Sequence, residues 1–295
     1  DEWEVPVDDP ERKRRFVPAG YECPPIPQTN LVTKEMPMNA IEKQMVRVLK
    51  QLREKHGVTE VKASLEAEGI LLDELLRTKE ITMEAGVGLS VKIGGCEALT
   101  DARLARGYGV RILMSPMIES RFALEKFLAM ADAVFPGKEQ KDTKFFINIE
   151  TIEGYRQIDQ ILRAENLSLL KGIVLGRTDL SRALNTADID GPVMLEAAKM
   201  IFASAKGKSL QCIIGGGITP KTIPFLVALD GRIDGYETRK IVVGHYQKDP
   251  GQMYETILMA LRFELLWYHW RRETYLELAQ EDTGRINKIE GILNP

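Results

Sequence analysis

Short apolar runs alternate with amphipathic stretches along most of the chain. Six runs of four to seven residues, rich in Val, Ile and Leu, lie at 59–65, 89–93, 110–114, 144–149, 172–175 and 210–214, and a longer one lies at 233–243. The spacing of apolar positions predicts helices over 39–56, 71–85, 97–107, 120–134, 153–165, 192–206 and 220–228. Apolar strands separated by helices are typical of parallel βα units. Seven strands are predicted, and an eighth would lie near residues 30–32 or be missing.

The ends of the predicted strands favour a closed barrel over an open doubly wound sheet. Nearly every strand is followed by polar or glycine residues. A barrel requires this because its catalytic groups all lie at the C-terminal ends of its strands. The predicted fold class is therefore α/β, a (β/α)8 TIM-type barrel over residues 38–250.

Two flanking segments differ from the barrel. Six of the 14 prolines fall in the first 30 positions, which predicts an extended, proline-rich arm over residues 1–37. After the last strand, 252–282 is one long helical pattern within a C-terminal segment, 251–295, that carries Phe263, Trp267 and Trp270. This helix packs either on its own barrel or on a neighbouring subunit. We expect a homo-oligomer, because so much aromatic surface needs a partner.

Composition limits the possible partners. Forty basic and 43 acidic residues leave a formal charge of −3, which argues against nucleic acid or an anionic membrane as a partner. The three cysteines form no CxxC pair, so neither a disulfide framework nor a zinc site is indicated. The chain has no apolar run of bilayer length and no signal peptide at its start, so we expect a cytoplasmic protein.

Two carboxylates follow neighbouring predicted strands. Glu150 follows the strand at 144–149, and Asp179 follows the strand at 172–175. Adjacent parallel strands lie about 4.8 Å apart, so the two side chains could share one cation. Carboxylate oxygens suit Mg²⁺ or Mn²⁺ better than zinc. Taken singly, Glu150 could instead cap a helix and Asp179 could form a turn.

Four short motifs together resemble a known family. They are Val-Lys-Ile-Gly at 91–94, Ser-Pro-Met-Ile-Glu-Ser at 115–120, Asn-Ile-Glu-Thr at 148–151 and Gly-Arg-Thr-Asp-Leu-Ser at 176–181. With them, residues 88–185 resemble the HpcH/HpaI aldolase and citrate lyase β-subunit family of the phosphoenolpyruvate/pyruvate barrel superfamily. The resemblance implies that Glu150 and Asp179 hold Mg²⁺ or Mn²⁺, and that this ion binds a 2-oxo acid and stabilises its enolate.

The resemblance also suggests where substrate binds and where this chain departs from the family. Backbone N–H groups at Gly176, Arg177 and Thr178 are candidates for the substrate carboxylate, and Glu119 is a further candidate contact. Lys92 stands where the family usually has an arginine. Where the aldolase branch has an acidic residue and a histidine, this chain offers Glu66 and Glu68, as bases or as helix-start carboxylates.

Lys92 supports a second mechanism. A lysine at the end of a barrel strand resembles the Schiff-base lysine of class I aldolases, and desolvation would make it a nucleophile. Lys62 is a lesser candidate for the same role. This route leaves the Glu150 and Asp179 pair unexplained.

A glycine-rich loop suggests an anionic substrate. Gly216 and Gly217 follow a late strand, where backbone N–H groups can approach phosphate, although a tight βα turn would use the same residues. Arg239, in the last strand region, is a candidate substrate contact. If the loop binds anions, the substrate carries a phosphate or another anionic tail.

The leading hypothesis is a metal-dependent carbon–carbon bond lyase or aldolase that acts on a 2-oxo acid of the pyruvate or oxaloacetate type. Two alternatives remain open. One is a class I Schiff-base aldolase that uses Lys92. The other is a catalytically silent barrel that serves in binding or assembly.

Overall fold

The computed structural model describes residues 37–293. Residues 1–36, which hold the predicted arm and the candidate strand at 30–32, lie outside the described part. The strands are β1 Val58–Ser64, β2 Gly88–Lys92, β3 Ile112–Ser115, β4 Lys144–Ile149, β5 Leu170–Gly176, β6 Gln211–Gly215, β7 Gly235–Glu237 and β8 Ile241–Val243. The helices are α1 Ala40–His56, α2 Leu72–Ala85, α3 Leu99–Gly107, α4 Arg121–Val134, α5 Ile152–Arg156, α6 Ile158–Ile161, α7 Arg177–Ala183, α8 Pro192–Lys206, α9 Ile223–Ala228 and α10 Pro250–Leu293.

The strands close into one barrel in the order β1 to β8, which confirms the predicted fold class. Strands β1 to β7 pair in parallel along this order. Strand β8 pairs antiparallel with both β7 and β1. The run at 233–243 is therefore a hairpin of two strands, and it supplies the eighth strand that the sequence left unplaced.

The hairpin turn lies at the mouth of the barrel, where the parallel strands end. The backbone N–H of Thr238 donates to the carbonyl of Ile241 over 2.9 Å, and the N–H of Ile241 donates to Oγ1 of Thr238 over 3.1 Å. Lys62 on β1 donates its N–H to the carbonyl of Lys240 over 2.7 Å. These bonds hold Arg239 and Lys240 above the ends of β7 and β1.

Helix α1 begins and ends at residues suited to those positions. The side chain of Asn39 accepts a hydrogen bond from the N–H of Glu42, and Glu42 accepts one from the N–H of Asn39. Gly57 ends the helix with φ 67°, a left-handed conformation that glycine adopts at little cost. A cap of this kind stabilises a helix by about 1 kcal/mol, and the sharp ending turns the chain directly into β1.

The last helix runs antiparallel to the first. Near the base of the barrel, His56 at the end of α1 lies 2.8 Å from Oγ1 of Thr256. Near the mouth, Trp270 donates to Glu42 at the start of α1 over 3.0 Å. The 44 residues of α10 span about 66 Å at the usual helical rise, so the helix passes the mouth and continues beyond it.

The aromatic residues of α10 are buried against the chain's own barrel. Phe263, Trp267 and Trp270 all belong to the main core between the sheet and the helices. These rings are already covered, so the expectation of unpartnered aromatic surface on this helix is wrong. Leu265 and Leu276 on the same helix remain exposed.

The interior of the barrel is divided into an apolar and a polar half. Ile112, Met114, Phe146, Val174 and Ile213 form a separate buried cluster on β3 to β6. In register with this cluster, β1 and β2 carry polar residues instead: Lys62 lies opposite Ser90, and Ser64 lies opposite Lys92. Within residues 37–293, no helix combines the length and apolar character needed to cross a bilayer.

Candidate active site

A cleft of about 490 Å³ opens at the mouth of the barrel, above the C-terminal ends of the strands. It is lined by Lys62, Ser64, Ala67, Glu68, Lys92, Thr178, Gly216, Gly217, Ile218, Thr219, Thr238, Arg239, Leu261 and Glu264. A larger cavity, of about 800 Å³, lies beside Gly88, Val110, Arg111 and Thr143, where strands β2 to β4 begin. Barrel enzymes carry their catalytic groups at the opposite end. The smaller cleft is therefore the candidate active site.

The cleft brings together half of the residues predicted from the sequence. Glu68, Lys92, Thr178, Gly216, Gly217 and Arg239 all line it. Six others do not: Glu66, Glu119, Glu150, Gly176, Arg177 and Asp179. Glu66 and Glu119 are exposed to solvent, while Glu150 and Arg177 are buried below the surface of the mouth.

Glu68 is held in ion pairs along one wall of the cleft. Its Oε2 accepts from Nζ of Lys240 over 2.6 Å, and its Oε1 accepts from Nε of Arg239 over 3.2 Å. Because both carboxylate oxygens serve these cations, the structure does not favour Glu68 as a base. The alternative that Glu66 or Glu68 starts a helix is wrong, because α2 begins only at Leu72.

Helix α10 completes that wall. Nζ of Lys240 lies 3.8 Å from the centre of the Trp267 ring, a cation–π contact, and Lys240 is almost completely buried. Burial lowers the pKa of Lys240, although Glu68 opposes this shift. Burial raises the pKa of Glu264, which faces the cleft one helical turn before Trp267. The C-terminal helix is therefore part of the site, which the sequence did not indicate.

Two lysines on adjacent strands line the cleft, and they differ in their ion pairing. Lys62 on β1 forms an ion pair with Glu237 on β7. Lys92 on β2 forms no ion pair or side-chain hydrogen bond within the described part of the chain, and it lies in register with Ser64. The charge of Lys62 is matched by the protein, whereas the charge of Lys92 remains available to an anionic ligand.

Glu150 is a buried carboxylate with neutral neighbours. Only 3% of the residue is exposed. Its Oε1 accepts from the backbone N–H of Met117 over 3.1 Å, and its Oε2 accepts from the side-chain amide of Asn148 over 3.0 Å. Thr151, not Glu150, caps the following helix by accepting from the N–H of Gly154. The proposed helix-cap role of Glu150 is thus wrong.

Glycine at position 176 allows Glu150 to lie against β5. A Cβ atom at Gly176 would come within 2.6 Å of Oε2 and 2.8 Å of Cβ of Glu150. Any larger residue would therefore displace the carboxylate. Gly176 therefore meets a steric requirement in addition to supplying a candidate hydrogen-bond donor.

The surroundings of the Glu150 carboxylate suit a hard divalent cation. No Lys, Arg or His pairs with Glu150 in the described part of the chain, although a buried carboxylate is usually paired with a positive charge. The Oδ1 atom of Asn148 is buried without a hydrogen-bond partner, and it would be a suitable further oxygen ligand. Asp179 lies in the first turn of α7 and pairs only with exposed Arg182, over 3.2 Å. Within residues 37–293 no group of three His, Cys, Asp or Glu could hold a metal, so substrate or water would have to supply the remaining ligands.

Arg177 holds the glycine loop rather than substrate. Its side chain has no exposed surface; Nε donates to the carbonyl of Gly215 over 3.2 Å and Nη2 to that of Gly216 over 2.6 Å. It also pairs with Asp190 and lies over the Phe225 ring. Burial lowers the pKa of Arg177, and Asp190 opposes that shift. Only its backbone N–H remains a candidate substrate contact.

The glycine loop packs closely against α7. Gly216 has φ 81°, and a Cβ atom there would lie 2.6 Å from the backbone nitrogen of Thr178 and 2.9 Å from that of Arg177. Glycine is required at this point both for the left-handed conformation and for the close approach. The loop and the start of α7 therefore form one side of the cleft.

The sequence of the central segment matches a known family model. Residues 91–215 match the family model of HpcH/HpaI aldolase/citrate lyase. This chain carries an HpcH/HpaI aldolase/citrate lyase region. The resemblance seen in the motifs is confirmed, and the HpcH/HpaI region contains Lys92, Glu150 and Asp179. The match supports a lyase of the aldolase and citrate lyase type, acting on small acids.

Several solved structures share the fold of this chain. An HpcH/HpaI aldolase from Desulfitobacterium hafniense DCB-2 is 14% identical, covers 68% of this chain and 83% of its own, and has a TM-score of 0.56. An HpcH/HpaI aldolase/citrate lyase family protein from Burkholderia cenocepacia J2315 is 13% identical, covers 82% of this chain and 100% of its own, and has a TM-score of 0.53. The citrate synthase SbnG is 16% identical, covers 75% and 88%, and has a TM-score of 0.51. At these identities the likeness shows the fold. No curated protein matches this chain in sequence.

Several residues of the site were missed by the sequence analysis. Glu237, Lys240 and Glu264 carry charge in or beside the cleft, and Asn148 and Met117 hold Glu150. The sequence does place Glu237 and Lys240 on either side of Thr238-Arg239, within an apolar stretch. Which of these side chains point into the barrel could not be assigned without knowing that the stretch is a hairpin.

Proposed function

We propose that this protein is a carbon–carbon bond lyase of the aldolase type that acts on a 2-oxo acid, with Mg²⁺ or Mn²⁺ held by Glu150 and Asp179. The observation that carries the metal site is Glu150, a buried carboxylate with two neutral hydrogen-bond donors and no cationic partner among the described residues. A bound divalent cation would act as a Lewis acid toward the oxo group of the substrate.

The protein's own groups would bind and orient the substrate. Lys92 lines the cleft and has no carboxylate partner among the described residues, so its ammonium group could bind a carboxylate or an enolate oxygen. The backbone N–H groups of Gly176 to Thr178 and of Gly216 and Gly217 are candidate donors to anionic groups of the substrate. We propose that the substrate is a small 2-oxo acid with a further anionic group, since two of the three cleft cations already have carboxylate partners and Lys92 does not.

Proton exchange tests this proposal directly. The methyl protons of pyruvate should exchange with D₂O in the presence of enzyme and Mn²⁺, as measured by NMR. Asp179→Asn should reduce the rate by about 100-fold. Replacing a residue that binds or supports a metal weakens metal binding by about one to two orders of magnitude. Asp132→Asn, which alters an exposed carboxylate on α4, is the control and should exchange at the wild-type rate.

Two results would contradict the metal proposal. Exchange that persists in EDTA and in Asp179→Asn would show that the reaction needs no metal. Calorimetric titration in which neither Mn²⁺ nor pyruvate binds would instead support a silent barrel with a role in binding or assembly.

A Schiff-base aldolase is the second candidate function. It is favoured by one observation: Lys92 and Lys62 line the cleft, whereas Glu150 and Asp179 do not. If Lys92 forms the imine, borohydride reduction in the presence of pyruvate should add the mass of the reduced adduct to the peptide that contains Lys92. An unmodified peptide map after reduction would contradict this route.

We also keep three wider proposals for the whole chain. The division into an arm, a barrel and a C-terminal helical segment stands as proposed from the sequence, and so does a cytoplasmic location. A homo-oligomer remains a proposal that is now supported by the exposed apolar residues Leu265 and Leu276 of α10 rather than by its aromatic rings.

A further inference from the structure

Unsatisfied polar atoms are concentrated in the polar half of the barrel interior. Four buried side-chain atoms of the described chain have no hydrogen-bond partner: Oγ of Ser64, Oγ of Ser90, Oδ1 of Asn148 and Oε2 of Glu237. The asparagine lies beside Glu150. The other three lie on β1, β2 and β7, the strands that surround the ion pair of Lys62 and Glu237. Each unmade bond is unfavourable for folding, so this part of the barrel is organised for something other than stability.

The ion pair connects the cleft with the barrel interior. The Lys62 side chain is 17% exposed and lines the cleft, whereas that of Glu237 is 3% exposed and lies beneath it. Nζ of Lys62 donates to Oε1 of Glu237. The carboxylate thus holds the ammonium group at the surface of the cleft, and a ligand in the cleft meets Lys62 and not Glu237.

We propose that Lys62 is the residue that transfers the proton to and from the carbon next to the oxo group, with Glu237 as the positioning residue that holds it. This assignment rests on the proposed function and adds a catalytic residue to it. In the cleavage direction, an N–H bond of Lys62 breaks and its proton forms a C–H bond with the enolate carbon. The electron pair of the N–H bond stays on Nζ, and the neutral amine regains a proton from water.

The other charged groups at the cleft are less suited to this step. Glu68 is committed to Lys240 and Arg239, and Arg239 is a guanidinium, which does not release a proton at physiological pH. No carboxylate of the described residues pairs with Lys92, so Lys92 is better suited to binding an anion. Glu264 lies on helix α10, whereas Lys62 lies on a barrel strand and is held by the Glu237 carboxylate.

Lys62→Arg is the decisive variant, because it keeps a positive charge beside Glu237 but cannot transfer its proton. We expect it to exchange the methyl protons of pyruvate with D₂O about 100-fold more slowly than the wild type, as is usual for loss of a general acid or base. Lys50→Arg alters a lysine in an exposed ion pair with Glu84 and should leave the rate unchanged. Circular dichroism and thermal melting check that each variant is folded.

Glu237→Gln tests the positioning role through its separate effects on kcat and KM. Lys62 pairs with Glu237 on β7, and Lys92, Glu68, Arg239 and Glu264 line the same cleft. Glutamine removes the charge that holds the ammonium group of Lys62, so we expect the exchange rate at saturating pyruvate to fall by about 10- to 100-fold while the KM for pyruvate stays unchanged. Glu237→Asp keeps the charge and should recover part of the rate. A wild-type exchange rate in Glu237→Gln would overturn the positioning role.

Separate measurements distinguish the failure of this inference from that of the proposed function. If Mn²⁺ and pyruvate bind by calorimetry and Lys62→Arg still exchanges at the wild-type rate, the role of Lys62 is overturned and the lyase proposal stands. If exchange is lost in Glu264→Gln but not in Lys62→Arg, the proton carrier is Glu264 and the role of Lys62 is overturned.

If borohydride traps pyruvate on Lys62, this residue is a nucleophile and its role as proton carrier is likewise overturned. If neither Mn²⁺ nor pyruvate binds to the wild type, both proposals fail.

Discussion

Replacing Arg177 with methionine is expected to lower the free energy of unfolding by about 3–5 kcal/mol, the usual effect of breaking a buried ion pair. The guanidinium is fully buried and serves the carbonyl groups of Gly215 and Gly216 and the carboxylate of Asp190. Methionine fills a similar volume but donates no hydrogen bond, so all three acceptors lose their partner. Urea denaturation followed by circular dichroism measures the difference.

The matched control is Arg121→Met, which removes an exposed arginine paired with Glu125 over 2.6 Å. Such surface pairs contribute about 1 kcal/mol or less. Arg177→Lys should fall between the two, because lysine keeps the charge but loses the planar fork. Equal stability of Arg177→Met and the control would show that Arg177 does not hold the glycine loop in place.

Glu42→Gln is expected to have the second largest effect, about 3 kcal/mol at neutral pH. Its buried carboxylate accepts from the N–H of Asn39, from Nε and Nη2 of Arg77 and from the indole of Trp270. It therefore joins the start of α1 to the middle of α2 and the middle of α10. Glutamine keeps one acceptor but removes the charge that Arg77 faces. Thermal and urea unfolding would both report the loss.

The stability difference between wild type and Glu42→Gln should also depend on pH. Burial alone raises the pKa of Glu42, but hydrogen bonds from Arg77 and from the backbone of Asn39 outweigh it, so the pKa is lowered from its ordinary 4.5. A carboxyl with a lowered pKa in the folded state stabilises the protein fully above the unfolded value, and this contribution declines as pH falls through the folded value. The difference should thus be largest at neutral pH and shrink below about pH 4. Glu54→Gln, in an exposed pair with Arg53, should show little difference at any pH.

The regular part of the barrel could be predicted because each element carries its own signal. Helices predicted at 39–56 and 192–206 are observed at Ala40–His56 and Pro192–Lys206, and the strand predicted at 144–149 is observed at the same residues. Capping residues and uninterrupted apolar runs define such elements locally. Helix α7 was missed because it is only seven residues long and directly follows β5.

The closing hairpin could not be predicted from local pattern. Residues 233–243 read as one apolar stretch, and the reversal at Arg239 and Lys240 contains neither glycine nor proline, the usual turn residues. The turn is held instead by Oγ1 of Thr238 and by pairing with β1, far away in the chain. Unless this turn is known, the sequence does not predict that Glu237 lies beneath Lys62.

Several residues of the candidate site could be predicted from the sequence, but the arrangement of their side chains could not. Glycines and charged residues at strand ends identified Lys92, Gly216 and Arg239, because strand ends meet at one edge of a parallel barrel, and the family motif at 176–181 added Thr178. Sequence could not show that Arg177 points into the protein or that Glu68 is held by Lys240. Those facts depend on which groups meet after folding, across 39 residues of chain for Arg177 and Gly216 and 172 for Glu68 and Lys240.

The reversed eighth strand changes the direction of everything that follows it. In a barrel whose strands all run one way, the chain leaves the last strand at the mouth, and its closing helix descends to the base. Here β8 returns to the base and α10 ascends, so its first half brings Leu261 and Glu264 to the cleft. A ligand that contacts these two residues should therefore also stabilise the C-terminal helix on the barrel.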